Sequence, residues 1–287
     1  MLAETLRFME ENRNRPMFIF FSTNLPHGPV DIPPEENTYA GSPAIRQAYG
    51  NASGTNRECS GAAEEYASMV DKLDRQVGAI VDQVRKLGLD KRTIIIFSSD
   101  NGHELYYRTD KGRGRGPDCH GGVLDGTGEL LDVFRGSRGR VGPNNAMANL
   151  AGLKWTSHEG GIRVPLIISW PGTLPHGKVC HSLVANYDHM ASFADLAGIR
   201  MPEGKDAVSY MDILSGNSAR QRDYVVVDHT VITGDGWKLT QKQNKPFLFH
   251  IGRDPEERNN LAGTRKDQLE KLRAIYRKEV GSPRKDR

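Results

Sequence analysis

The 287-residue chain is 37% hydrophobic and 26% charged, which is globular material sufficient for one large core and a small second domain. Its formal charge of +3 arises from Lys and Arg scattered among nearly as many Asp and Glu, so no basic stripe marks a nucleic-acid partner, whereas a small anionic substrate remains compatible. The longest apolar runs, such as Met17-Phe18-Ile19-Phe20-Phe21, fall far short of the ~20 residues of a membrane helix, so no membrane partner is expected.

The opening Met1-Leu2-Ala3-Glu4-Thr5-Leu6-Arg7 is mixed and amphipathic, with neither the basic leader nor the apolar core of a signal peptide. Either the protein is cytoplasmic or its true beginning is missing. Residues 17–22 form a short apolar run ending in the turn-rich Asn24-Leu25-Pro26-His27-Gly28-Pro29, which predicts a buried strand and an exposed connection. Tyr66, Met69, Val70, Leu73, Val77, Ile80, Val81, Val84 and Leu87 recur at helical spacing, and Gly88 is the predicted stop. Thr93-Ile94-Ile95-Ile96-Phe97-Ser98-Ser99 is a continuous β-branched run, typical of a strand covered on both faces, and it ends at Asp100-Asn101-Gly102. This order of strand, helix and strand predicts an α/β sheet.

Residues 102–152 are rich in Gly and Arg and too long for a passive connection, which predicts a functional surface loop. Residues 164–170 predict another strand, and residues 189–196 a short helix closed by Gly198. After a linker containing Pro202, Gly204 and Gly216, residues 224–227, 237–240 and 247–251 predict short antiparallel strands. Leu269, Leu272, Ile275, Tyr276 and Val280 line one face of a terminal helix. The predicted domains are therefore 1–216 and 217–287, the second a small α+β subdomain.

Ligands of open α/β sheets bind beyond the carboxyl ends of the strands, where the polar residues of this sequence fall. Asp100 and Asn101 offer a carboxylate and an amide oxygen, two hard donors that suit Ca²⁺ or Mg²⁺ better than Zn²⁺, although Asp-Asn-Gly is also a common turn. His27 can donate a hydrogen bond to an anion or protonate a leaving oxygen, but loop histidines are often merely solvated. Lys154, five residues before Glu159-Gly160-Gly161-Ile162-Arg163-Val164-Pro165, could neutralise a sulfate or phosphate oxygen, or be an ordinary surface lysine. His103, His120 and His158 could touch a substrate, and Arg113, Arg115, Arg135, Arg138 and Arg140 could meet an anionic one, or all could be solvated loop residues. Asn51-Ala52-Ser53 is a glycosylation sequon. Cys59, Cys119 and Cys180 are three and widely spaced, which indicates neither a disulfide framework nor a structural zinc site.

In order along the chain, Phe18-Ile19-Phe20-Phe21-Ser22-Thr23-Asn24-Leu25-Pro26-His27, residues 66–74, Phe97-Ser98-Ser99-Asp100-Asn101-Gly102, and Lys154 with Glu159-Gly160-Gly161, Arg163-Val164-Pro165 and Trp170-Pro171-Gly172 resemble the sulfatase family of the alkaline phosphatase superfamily. Gly236-Trp237-Lys238-Leu239 and Asp254-Pro255-Glu256-Glu257-Arg258-Asn259-Asn260-Leu261 are similar to the family's carboxyl-terminal signature. The resemblance implies an alkaline phosphatase-like sandwich: a central, mostly parallel sheet flanked by helices, plus a small carboxyl-terminal antiparallel sheet with one helix. It implies hydrolysis of a sulfate ester of a small molecule or glycan, with Asp100 and Asn101 as calcium ligands, Ca²⁺ ahead of Mg²⁺. It further implies that Lys154 contacts the sulfate and His27 the sulfate or the leaving-group oxygen, so that these side chains surround one small anion.

The departures are equally specific. The family's nucleophile is a formylglycine made from cysteine in a Cys-x-Pro-Ser-Arg-like context, and further ligands lie upstream of the 17–22 strand. Cys59, in Cys59-Ser60-Gly61-Ala62-Ala63, and Cys119 and Cys180 all lack that context. The formylglycine and part of the metal site are therefore expected in a missing amino-terminal segment, and the polypeptide alone is expected to be inactive. Relatives are usually exported, so a periplasmic or extracellular location is expected for the intact protein. The alternatives are a phosphoesterase of the same superfamily and a non-catalytic remnant that binds sulfated glycans. Which sulfate ester is bound and the oligomeric state are not legible.

Overall fold

A computed structural model describes residues 1–27, 31–50, 57–102, 150–151, 154, 156–216, 222–242 and 245–281. Most of the Gly- and Arg-rich stretch, with His103, His120, Cys119 and the five arginines, lies outside these residues, as do the sequon and the boundary expected near Asn217. The described chain gathers into two compact units, one holding Met1–Phe97 and Leu166–Thr173, the other Ser98–Gly102, Leu150–Pro165 and Leu174–Arg287.

In the first unit, helices α1 (Leu2–Glu11), α2 (Pro43–Gly50) and α3 (Arg57–Lys86) accompany strand β1 (Ile95–Ser98), which pairs with β2 (Leu166–Ser169). The amphipathic opening of the chain is thus a helix. Its Met9 is buried with Val84 and Leu89, and Leu6, Met17, Ile80, Leu87 and Ile95 close around them. The helical stripe read between residues 66 and 87 follows the inner face of α3, except that Val70 is exposed and Leu87 lies just past the helix end. That helix stops at Gly88, whose φ of +65° lets Gly88 N–H reach Arg85 O (2.9 Å) and Leu89 N–H reach Val84 O (2.9 Å). This paired closure satisfies two end carbonyls that a helix otherwise leaves open. Buried Glu64 and Ser68 tie α2 and the loop before it to α3. Glu64 accepts Gly41 N–H and Arg46 Nε–H, each at 2.9 Å, and Ser68 Oγ accepts Tyr39 N–H at 3.1 Å.

One expected strand does not form. Residues 17–22 enter no ladder, and Phe18 and Phe20 are 72% and 82% exposed. An apolar run becomes a strand only when a neighbour takes up its backbone groups. Here Ser22 and Thr23 donate their N–H groups locally, to Phe20 O and Phe21 O.

The second unit contains the turn α4 (Glu159–Ile162), α5 (Asp188–Ala197), α6 (Met211–Leu214) and a four-stranded meander. The strands are β3 (Tyr224–Val227), β4 (Thr230–Thr233), β5 (Trp237–Lys242) and β6 (Lys245–His250), all antiparallel, followed by helix α7 (Lys266–Glu279). Val231, Leu239 and Leu248 align across three strands and pack on Leu269, Leu272 and Tyr276 of α7. Because side chains alternate between faces, the adjacent row Ile232, Lys238 and Phe249 points the other way, and it too is buried. A lysine in that row must find anionic partners inside the protein.

Helix α5 is anchored at its start by Asp188, only 2% exposed. Its carboxylate accepts Ala185 N–H (2.9 Å), Val208 N–H (2.8 Å) and Arg222 Nε–H (3.0 Å), and Arg222 Nη2 bonds its other oxygen. Among the described residues, no helix is long and apolar enough to cross a membrane.

Candidate active site

Beyond β1 the chain turns through residues 99–102, and this turn is built by its own polar groups. Asp100 is exposed. Its Oδ1 accepts Asn101 N–H (2.9 Å) and Ser99 Oγ–H (3.5 Å), and its Oδ2 takes no part in these bonds. Asn101 donates Nδ2–H to Gly102 O at 2.7 Å, so its amide oxygen faces away from that bond as an acceptor. Two hard oxygen donors on adjacent residues are thereby presented at one strand end.

The turn is held on two sides. Asn186, just ahead of α5, donates Nδ2–H to Ser99 O at 3.0 Å. On the other side Gly102 N–H donates to Gly161 O of α4 at 2.9 Å. The approach is close enough that a Cβ on Gly102 would lie 1.9 Å from Gly160 O, so only glycine allows the two backbones to meet here.

Lys154 lies in the same unit, half-buried, on the loop that runs into α4. Gly160 N–H donates to Ala151 O at 2.6 Å, which closes the ends of that loop, and Ala151 N–H reaches Pro255 O at 3.3 Å. The loop bearing Lys154 and the Asp100–Asn101 turn are therefore fastened to neighbouring glycines, Gly160 and Gly161.

Beneath these glycines lies a cluster of buried charge. Lys238 Nζ stands 3.0 Å from Glu159 Oε1 and 3.0 Å from Glu257 Oε1, and the three residues are 0%, 3% and 1% exposed. Glu257 also accepts Glu159 N–H (2.7 Å) and sits 2.9 Å from His158 Nδ1. Burial pushes the Glu257 carboxyl up. The His158 hydrogen bond, the Lys238 charge and the Glu159 N–H together outweigh it and hold the group below its ordinary value. Sequence reasoning quoted these residues as parts of motifs and missed their shared role. The available signal was a lysine inside the apolar strand Trp237-Lys238-Leu239.

His27 belongs to the first unit, where it is exposed and closes a turn through His27 N–H to Asn24 O at 2.7 Å. Leu25-Pro26 is cis, and Thr23 Oγ1 accepts Leu25 N–H (3.2 Å) while bonding Gln76 of α3 (3.4 Å).

Among the described residues, no three His, Cys, Asp or Glu side chains converge as a metal cage. The donor set of the turn, one carboxylate and one amide oxygen, nevertheless fits part of a calcium shell, which takes six to eight oxygens.

A family model described as Sulfatase matches residues 1–199. The chain belongs to the sulfatase family. A second model, N-sulphoglucosamine sulphohydrolase, C-terminal, matches residues 154–285 of this sulfatase chain. The N-acetylgalactosamine-6-sulfatase of Canis lupus familiaris is 24% identical over 313 residues, covering 96% of this chain and 50% of the relative. The N-acetylgalactosamine-6-O-sulfatase of Bacteroides thetaiotaomicron is 26% identical over 213 residues, covering 67% and 37%. Two solved structures share the alkaline phosphatase-like fold. One is a Bacteroides thetaiotaomicron protein described in the metabolism of multiple glycosaminoglycans (TM-score 0.69, 22% identity, 96% of this chain and 53% of that one). The other is Ps i-CgsB in complex with k-i-k-neocarrahexaose (TM-score 0.65, 22% identity, 99% and 59%). The chain spans about half the length of the curated relatives it matches.

Proposed function

We propose that this chain is the part of a sulfuric ester hydrolase that supplies two metal ligands and the anion contacts for a sulfated glycan. The observation that carries this reading is the Asp100–Asn101 turn, which presents two hard oxygen donors at a strand end in a chain of the sulfatase family. Asp100 and Asn101 would hold Ca²⁺, with Mg²⁺ as the lesser fit. The ion, when bound, supplies positive charge against the sulfate oxygens as the sulfur is attacked. Lys154 neutralises a sulfate oxygen, and His27 hydrogen-bonds the sulfate or the leaving-group oxygen. A sulfated glycan is favoured because relatives are named N-acetylgalactosamine-6-sulfatase and N-acetylgalactosamine-6-O-sulfatase and a related structure holds k-i-k-neocarrahexaose.

The nucleophile is a formylglycine in the family, and none of Cys59, Cys119 and Cys180 has the sequence context for that conversion. The polypeptide on its own therefore turns over an aryl sulfate no faster than its Lys154→Ala variant. Joined to a formylglycine-bearing segment, it hydrolyses aryl sulfate, and Asp100→Ala or Lys154→Ala lowers kcat by about a hundredfold or more, the usual cost of losing one transition-state charge contact. A joined protein that prefers the matched phosphate ester would replace sulfate by phosphate as the substrate. One in which both variants keep full activity would remove these residues from the site.

A further inference from the structure

The cluster of Lys238, Glu159 and Glu257 is an uneconomical way to hold a sheet together. Desolvating three charges is costly, and apolar side chains of the same volume often stabilise a protein as well or better. What buried ions supply and apolar packing does not is direction, because each hydrogen bond fixes a particular atom. Here one carboxylate fixes two consecutive residues. Glu257 Oε1 takes the Glu159 N–H at 2.7 Å and Lys238 Nζ at 3.0 Å, while Oε2 meets His158 Nδ1 at 2.9 Å. Glu257 does this from a left-handed backbone, φ +50°, a conformation that a glutamate keeps only when its surroundings require it. Glu159, restrained through both its backbone and its side chain, opens α4, and the next two residues are the glycines that receive Gly102 and Ala151.

The geometry points to Lys238, Glu159 and Glu257 as positioning residues, which aim the Asp100–Asn101 turn and the Lys154 loop by fixing α4. The importance of what they aim rests on the function proposed above, but the positioning itself is a property of this chain. The route is continuous: Lys238 to Glu257, Glu257 to the start of α4, Gly161 O to Gly102 N–H, and Gly102 to Asn101 Nδ2.

The test is amide hydrogen exchange of the full chain by NMR, comparing Gly102 with Leu272 in α7, together with a CaCl₂ titration followed at the Asp100 and Asn101 amides. Glu257→Gln leaves Lys238 paired with Glu159, and Glu159→Gln leaves it paired with Glu257, so each variant retains a neutral pair. In either variant Gly102 exchange rises roughly tenfold relative to Leu272, the equivalent of about one hydrogen bond, and the calcium response moves to higher concentration. Equal acceleration at Gly102 and Leu272 would make the cluster a general stabiliser and overturn the proposal, as would unchanged Gly102 exchange or failure of both variants to fold. Absence of any calcium response in the unmodified chain counts against the metal reading of Asp100 and Asn101, while the exchange ratio still decides the positioning role.

Discussion

Gly102 and Gly160 meet through bare backbone, with the space for a Gly102 Cβ lying 1.9 Å from Gly160 O and 2.7 Å from Gly160 C. Both partners are main chain, so neither can swing aside. The contact joins the turn that carries Asp100 and Asn101 to the turn that follows the Lys154 loop.

Gly102→Ala must therefore displace one of the two turns. Overpacking of this kind costs about 1–3 kcal/mol, and thermal melting should fall by roughly 2–9 °C. Gly78→Ala is the matched control, since its added Cβ meets nothing within 4 Å and it lies in the middle of α3. Helix propensity predicts an unchanged or slightly higher melting temperature for it.

Acid should weaken the second unit through Glu257. Its folded carboxyl lies below the ordinary value of 4.5, so the proton binds more tightly to the unfolded chain. The stabilisation is complete above that ordinary value and is lost as pH falls through the lower folded one. Thermal melts taken from neutral pH down into that acid range should show a steeper loss for the unmodified protein than for Glu257→Gln. Parallel curves would mean that Glu257 is not held ionised by its neighbours.

Arg222 supports α5 in a different way, by neutralising the buried Asp188 carboxylate while also donating from Nη2 to Asp206 O at 2.6 Å. Arg222→Met leaves that carboxylate with two backbone N–H donors and no cation. Breaking a buried pair from one side costs about 3–5 kcal/mol, a melting shift of roughly 6–15 °C. Arg222→Lys should lose part of this, because an ammonium cannot reproduce the two-pronged contact.

The elements most legible in the sequence were those whose signal is local. The stripe from Tyr66 to Leu87 and the stop at Gly88 both follow from spacing and backbone chemistry, and α3 with its end shows both, exposed Val70 apart. Strand β4 was missed because it follows β3 after only Asp228 and His229, a two-residue connection without glycine in which Asp228 takes φ +51°. The 17–22 run was read as a strand from its apolar character, yet pairing belongs to a neighbour and not to the run itself. The candidate site divides along the same line. Asp100 and Asn101 could be proposed from a strand followed by hard oxygen donors. For the Lys238 cluster, the lysine within Trp237-Lys238-Leu239 was a local hint of burial, but its partners stand 79 and 19 residues away and nothing local identifies them.

The most direct measurement is a crystal structure of the chain grown or soaked with high CaCl₂ and sulfate. The account predicts an ion with calcium's anomalous signal about 2.3–2.6 Å from oxygens of both Asp100 and Asn101, with a sulfate oxygen within hydrogen-bond reach of Lys154 Nζ. Calcium bound only elsewhere, or a sulfate that ignores Lys154, would contradict it.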